Sequence, residues 1–99
     1  MAFELYLLAE AENEYIEAVE WYKEQSLEVA DRFLVELADA LEALENHPEF
    51  YGFYVKSYRR ILLKSFPYKI VYEIDRDKVV IHAVYHTSRN DAELRKRLP

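Results

Sequence analysis

A chain of 99 residues with 52% hydrophobic side chains can bury one real core and not two, which leaves no room for a separate catalytic domain. It holds no cysteine, so disulfides, thiolate metal sites and thiol nucleophiles are excluded, as suits a reducing cytosol. The formal charge of −6 argues against non-specific nucleic-acid binding, but it hides a division: residues 1–50 carry two bases against fourteen acids, a balance of −12, and residues 51–99 carry eleven against five, a balance of +6.

The N-terminal run Phe3 to Leu8 is short and apolar and reads as a strand. Glutamates follow too soon for a signal-peptide core, and no apolar run approaches the roughly 20 residues of a membrane helix, so a cytoplasmic protein without a membrane partner is expected. From Ala9 to Gln25, Tyr15, Ile16, Val19 and Tyr22 recur at three- and four-residue intervals while Glu10, Glu14, Glu17, Glu20 and Glu24 point elsewhere. That spacing predicts an amphipathic helix. Ser26 then caps a second helix with Glu28 and Asp31 in its first turn, where the helix dipole favours acids. Ala30, Phe33, Leu34, Leu37, Leu41 and Leu44 form its stripe, and His47-Pro48 ends it, because proline pushes the preceding residue out of the α region. So short a junction makes the two helices an antiparallel hairpin.

Residues 49–56 form an aromatic connection holding the only glycine. Three β-patterned runs follow: Arg59 to Phe66, closed by Pro67; Tyr68 to Ile74, closed by Asp75-Arg76-Asp77; and Lys78 to His86. Gaps this short join antiparallel neighbours, so the runs make a three-stranded meander. The predicted fold is α+β, one domain over residues 1–99 in the order β-α-α-β-β-β. Its helical hairpin buries Val19, Phe33, Leu37 and Leu41 on one face of a small antiparallel sheet. The other face is left to solvent or a partner. Strict alternation groups Ile70, Tyr72 and Ile74 against Val71 and Glu73, and groups Val79, Ile81, Ala83 and Tyr85 against Val80, His82, Val84 and His86. It does not say which group meets the helices.

Among the candidate functional groups, His82 and His86 are four residues apart on a strand, roughly 13 Å at ~3.3 Å per residue, too far for one ion. No metal site is predicted. His82, in mid-strand, reads as a packed or hydrogen-bonded histidine. His86, at the strand end beside Arg89, has the better claim to proton transfer or partner contact. Trp21 lies off the main helical stripe, and an aromatic of that size at a surface suits a protein contact. Trp21, Tyr22, Arg59 and Lys64 are the expected partner-binding residues. Arg59 and Arg60 are adjacent on a strand, so they point to opposite faces and cannot line one groove; one of them is expected to be structural, pairing with Glu73 or a helical acid.

The chain resembles toxins of the RelE/ParE superfamily, the small toxin partners in bacterial type II toxin–antitoxin, or plasmid stabilisation, modules. The resemblance rests on the order of several pieces: Val19-Glu20-Trp21-Tyr22, the helix end His47-Pro48, Arg59-Arg60-Ile61-Leu62-Leu63-Lys64, Phe66-Pro67-Tyr68-Lys69-Ile70-Val71-Tyr72, and His86-Thr87-Ser88-Arg89-Asn90. It implies a sheet with a helical hairpin, no cofactor, and a cognate antitoxin that wraps and neutralises the toxin. Two activities divide the superfamily. ParE-like members poison DNA gyrase, whereas RelE-like members are ribosome-dependent endoribonucleases that cleave mRNA without a metal.

If the chain is RelE-like, the resemblance implies Arg60, Lys69, His86 and Arg89 as the catalytic set, with Arg60 near a family lysine and Lys69 in place of an arginine. Three departures favour the ParE-like reading, under which the chain is not an enzyme. Leu62 stands where a second lysine is expected, the tail from Asp91 to Pro99 has no tyrosine, and the total charge is acidic. Lysine at 69 also lacks the planar fork that grips phosphate with two bonds. A relative that only binds antitoxin is a third reading, and an exposed sheet edge invites either an antitoxin strand or a second copy as a homodimer.

Overall fold

A computed structural model describes residues 2–99. Its elements are β1 (Glu4–Leu7), α1 (Ala9–Gln25), α2 (Leu27–Asn46), a 3₁₀ turn (Pro48–Phe50), β2 (Phe53–Val55), β3 (Tyr58–Leu62), β4 (Tyr68–Asp75), β5 (Lys78–His86) and α3 (Asp91–Arg97). The strands form one sheet in the order β1-β5-β4-β3-β2, antiparallel except that β1 runs parallel to β5. The α+β class, the hairpin and the meander are as the sequence predicts. The structure adds β2, inside what reads as a connection, and α3 in the tail. It also ends the first meander strand at Leu62 rather than Phe66, since Leu63 to Pro67 bend into the turn.

Ser26 joins the two helices by serving both. Its N–H donates to the Tyr22 carbonyl at 2.8 Å, closing α1, and its hydroxyl accepts the Val29 N–H at 3.4 Å, opening α2. The small buried residues Ala11, Ala18, Ala30 and Ala40 let the helices approach the sheet and each other, around a core of Val19, Tyr22, Phe33, Leu37 and Leu44. Tyr22, Phe33, Phe66 and Tyr68 make an aromatic cluster with ring centroids 5.1–6.3 Å apart, mostly edge to face, as the ring quadrupoles favour. Tyr72 is buried beneath α2 and its hydroxyl donates to the Pro48 carbonyl at 2.6 Å; burial pushes its pKa up to about 12.

Strict alternation fails on β5. Val71 faces Ala83 and the next residue, Tyr72, faces Ile81, so His82 is an extra residue, a β-bulge. Past it the faces exchange. Val84 joins Val79 and Ile81 on the helical side, while Ala83 and Tyr85 turn to the other side with Val71. That second face is not bare, contrary to expectation. Leu94 and Leu98, four residues apart in and just past α3, pack there on Tyr58, Val71, Ala83 and Tyr85. Asn90 caps α3 by accepting the Ala92 N–H at 2.9 Å, with acids in its first turn and Arg95, Lys96 and Arg97 in its last.

Both sheet edges are only half covered. β1 accompanies β5 as far as Ile81, and beyond it Glu14 and Arg97 take over: the Glu14 carboxylate accepts the Val84 N–H at 3.1 Å and Arg97 donates to the His82 carbonyl at 2.8 Å. On the opposite edge, β2 pairs with Tyr58 and Arg59, and the Arg60 N–H reaches the Gly52 carbonyl at 3.2 Å.

Truncating Phe33 removes a ring that packs on each of the other three in the aromatic cluster, so Phe33→Ala is expected to lower unfolding free energy by about 3–5 kcal/mol. Leu94→Ala, with its side chain fully buried under α3, should cost about 2–5 kcal/mol. Urea denaturation measures both, and a Leu94 variant as stable as the parent would show that α3 adds nothing to the fold.

Candidate functional site

The candidate residues fall on two sides of the sheet. On the helical side, where α1 passes the end of β5, a cleft of about 410 Å³ is lined by Glu17, Trp21, Tyr68, His86, Ser88 and Arg89, with Glu14 at its base. Trp21 is 57% exposed, standing edge-on to Tyr22 at 5.2 Å. Tyr22 itself, expected at the contact surface, is buried in the aromatic cluster, because the helical stripe aims it inward; little of it remains to meet a partner. The His86 ring packs edge-on to Tyr68 at 5.0 Å, and its Nδ1 accepts the Ser88 N–H at 3.0 Å. That bond leaves the proton of the neutral ring on Nε2. The Arg89 guanidinium lies 4.2 Å from the Tyr85 ring centre and 3.4 Å from Glu14, half exposed.

On the second face Lys69 is almost wholly buried, its Nζ 3.0 Å from Asp91 Oδ1 at the start of α3. It sits 4.9 Å from the Tyr54 ring and 5.9 Å from that of Tyr85. Arg60 and Arg95 also lie over Tyr54, at 5.4 and 5.2 Å, so three cations share one ring. Asp91 balances them: it accepts hydrogen bonds from the Tyr54 hydroxyl, from Lys69, and from Arg95 at 2.6 Å. The Tyr54 bond first, then Lys69, holds its carboxyl well below the usual carboxylate range. Burial, with the Asp91 bond second, pushes the Tyr54 hydroxyl up.

Arg59 is structural, as expected of one member of the pair, but its partners are not acids. It donates to the Tyr51 carbonyl at 2.7 Å and the Glu49 carbonyl at 3.2 Å and covers Phe53 at 4.0 Å, pinning the segment before β2. Lys64 stands exposed in the β3–β4 turn, beside a groove along α2. His82 is packed, with Nε2 3.0 Å from Glu73 and its ring edge-on to Tyr58.

The four residues of the nuclease set therefore do not share a groove. Arg60 and Lys69 meet at Tyr54 on the second face, whereas His86 lines the helical-side cleft with Arg89, which also reaches over the Tyr85 ring. In-line displacement at phosphorus needs free cations and a proton-transfer group within reach of the same atoms. Here the most buried cation is already neutralised by Asp91. Glu14, Asp91 and Arg97 organise this region without any sequence signal that separates them from the neighbouring acids and bases.

Because the folded-state pKa of Asp91 lies below its unfolded value of ~3.9, the stability it contributes is complete above that pH and is lost as the pH falls beneath it. Asp91→Asn is expected to be less stable than the parent at neutral pH, with the gap closing below about pH 4 in urea midpoints measured across that range.

Among curated protein sequences none matches this one. Among solved structures, a chromosomal ParDE toxin–antitoxin system from P. aeruginosa superposes with a TM-score of 0.77 over 88% of this chain and 98% of that one. At 13% identity the likeness is one of fold. The model of the family described as the ParE toxin of the type II toxin–antitoxin system, parDE, matches residues 5–91, from β1 to the first residue of α3. With the hairpin, the sheet and the Arg89 turn after β5 all inside that match, the chain belongs to the ParE toxin family of type II toxin–antitoxin systems.

Proposed function

We propose that this chain is a growth-arresting toxin that acts in the cytoplasm by binding a protein target, DNA gyrase, and is neutralised by a cognate antitoxin. The observation that carries the choice of binding over RNA cleavage is the internal neutralisation of its cations. Lys69 is buried against Asp91, and Arg97 grips the Glu14 carboxylate with two bonds at 2.9 and 3.0 Å. Charges committed in this way are poorly placed to stabilise a phosphorane, and His86 is on the opposite face from Arg60 and Lys69. Trp21, half-exposed Arg89 and the cleft between them are the surface this reading assigns to protein contact. No helix among the described residues is long and apolar enough to cross a membrane.

Induced expression in a sensitive bacterial host tests the proposal. Growth arrest with gyrase-linked DNA breaks and intact transcripts is expected, relieved by co-expression of the antitoxin encoded beside it. Arrest with transcript cleavage would transfer the chain to the nuclease reading, and in that case Arg60→Ala and Arg89→Ala should each abolish toxicity. Under the gyrase reading, Lys69→Met with Asp91→Asn, which removes the ion pair as a unit, leaves toxicity within about threefold of the parent, since replacing both partners by neutral groups of similar size is often close to neutral.

A further inference from the structure

The turn after β5 places a serine hydroxyl on an imidazole. Ser88 Oγ lies 2.7 Å from His86 Nδ1, the same nitrogen that accepts the Ser88 N–H at 3.0 Å. Because that nitrogen carries no proton in the neutral ring, the hydroxyl must be the donor in the shorter contact. A nucleophile and a base are thus within hydrogen-bond reach of each other, as activation of a serine requires. Both are fixed in place. The His86 ring is held edge-on against Tyr68, and the turn is tied down by the Thr87 N–H on the Pro67 carbonyl at 2.8 Å and the Arg89 N–H on the His86 carbonyl at 3.1 Å.

Ser88 is exposed and opens into the cleft of about 410 Å³ between α1 and the end of β5, a volume in the range of small-ligand sites. The charges of this cleft cancel. Glu14 is matched by Arg97, and Glu17 stands against Arg89, so the space favours neither a polyphosphate nor a cation. Its remaining walls include Trp21, Tyr68 and Val84, which suit an apolar or aromatic group. Arg89, half exposed and only loosely held by Glu14 at 3.4 Å, is the cation free to turn toward a developing oxyanion.

We propose that Ser88 is a nucleophile with His86 as its base, and that it takes an acyl group from an uncharged ester of an aromatic alcohol. Ser88 Oγ adds to the ester carbonyl carbon while its proton passes to His86 Nδ1. The tetrahedral adduct then breaks the carbon–oxygen bond to the aryl group, and the proton moves from His86 to the departing aryl oxide. The products are an ester on Ser88 and a phenol, with no further reactant needed. Acyl transfer at Ser88 is separate from the toxin's choice of target.

The test treats the full-length protein with p-nitrophenyl acetate and follows acetylation of each serine by peptide mass spectrometry. Ser57 and Ser65, also exposed, are the internal references. Ser88 is expected to react about a hundredfold faster than either, the usual worth of a positioned general base. His86→Asn keeps an acceptor near the Nδ1 position but cannot take up a proton. It should return Ser88 to the reference rate, whereas a hydroxyl that merely closes the turn would be unaffected. Ser88→Ala should abolish the fast release of p-nitrophenol. If His86→Asn does not fold, the comparison among serines in the parent chain and the Ser88→Ala variant decide. Acetylation of Ser88 no faster than that of Ser57 and Ser65, or equally fast in His86→Asn, overturns the proposal.

Discussion

Strand β5 continues past the end of its neighbour β1, and a strand edge buried against α1 must have its backbone groups satisfied. The Glu14–Arg97 pair does this. One carboxylate, 11% exposed, accepts from the Val84 N–H and from two nitrogens of Arg97, while Arg97 also donates to the His82 carbonyl. The pair thus stands where a sixth strand would, and it ties α1, β5 and α3 together at one point. Desolvating two charges is costly, and what offsets the cost here is the number of hydrogen bonds each ion makes.

The same place on β5 carries the bulge at His82, and the two features depend on each other. Without the extra residue, Val84 would face α3 and Tyr85 would face the helical hairpin. With it, Val84 completes the hydrophobic core and Tyr85 becomes a platform for Lys69 and Arg89, its hydroxyl bonded to the Asn90 carbonyl at 3.0 Å. The bulged His82 keeps its Nε2 on Glu73. A one-residue insertion in the ladder therefore decides which aromatic faces which layer, and so where the basic residues of the C-terminal half are held.

This arrangement has a functional consequence for a ParE-family chain. Of the cations a phosphodiester would require, Lys69 is held by Asp91 and Arg89 is drawn to Glu14, while Trp21 is left standing at the surface. The opposite signs of the two halves of the sequence have two outlets. Part of the basic half is consumed internally by Glu14 and Glu10 of α1. On α2, Glu28, Asp31 and Asp39 stand exposed, while Glu36 accepts the Ser65 N–H at 2.7 Å.

The sequence by itself determined the helical hairpin, the meander and the family, because each rests on local regularities. Apolar spacing at three and four residues, Ser26 between the helices, Pro48 after them, and β-branched runs parted by short turns are all readable without a partner. The cap and leucine spacing of α3 were also present, in Asn90, Leu94 and Leu98, but seven residues with a weak periodic signal carry little weight alone. What only the tertiary structure decided are the relations between distant residues. Glu14 and Arg97 are 83 positions apart, and nothing local distinguishes Glu14 from the other glutamates of its helix. Lys69 becomes a buried ion only once α3 brings Asp91 to it. The bulge likewise has no local marker, since it exists only in the pairing of β5 with β4. Periodicity reports what a segment does with its own neighbours, and the site of this protein is built where segments that are strangers in sequence compete for the same edge.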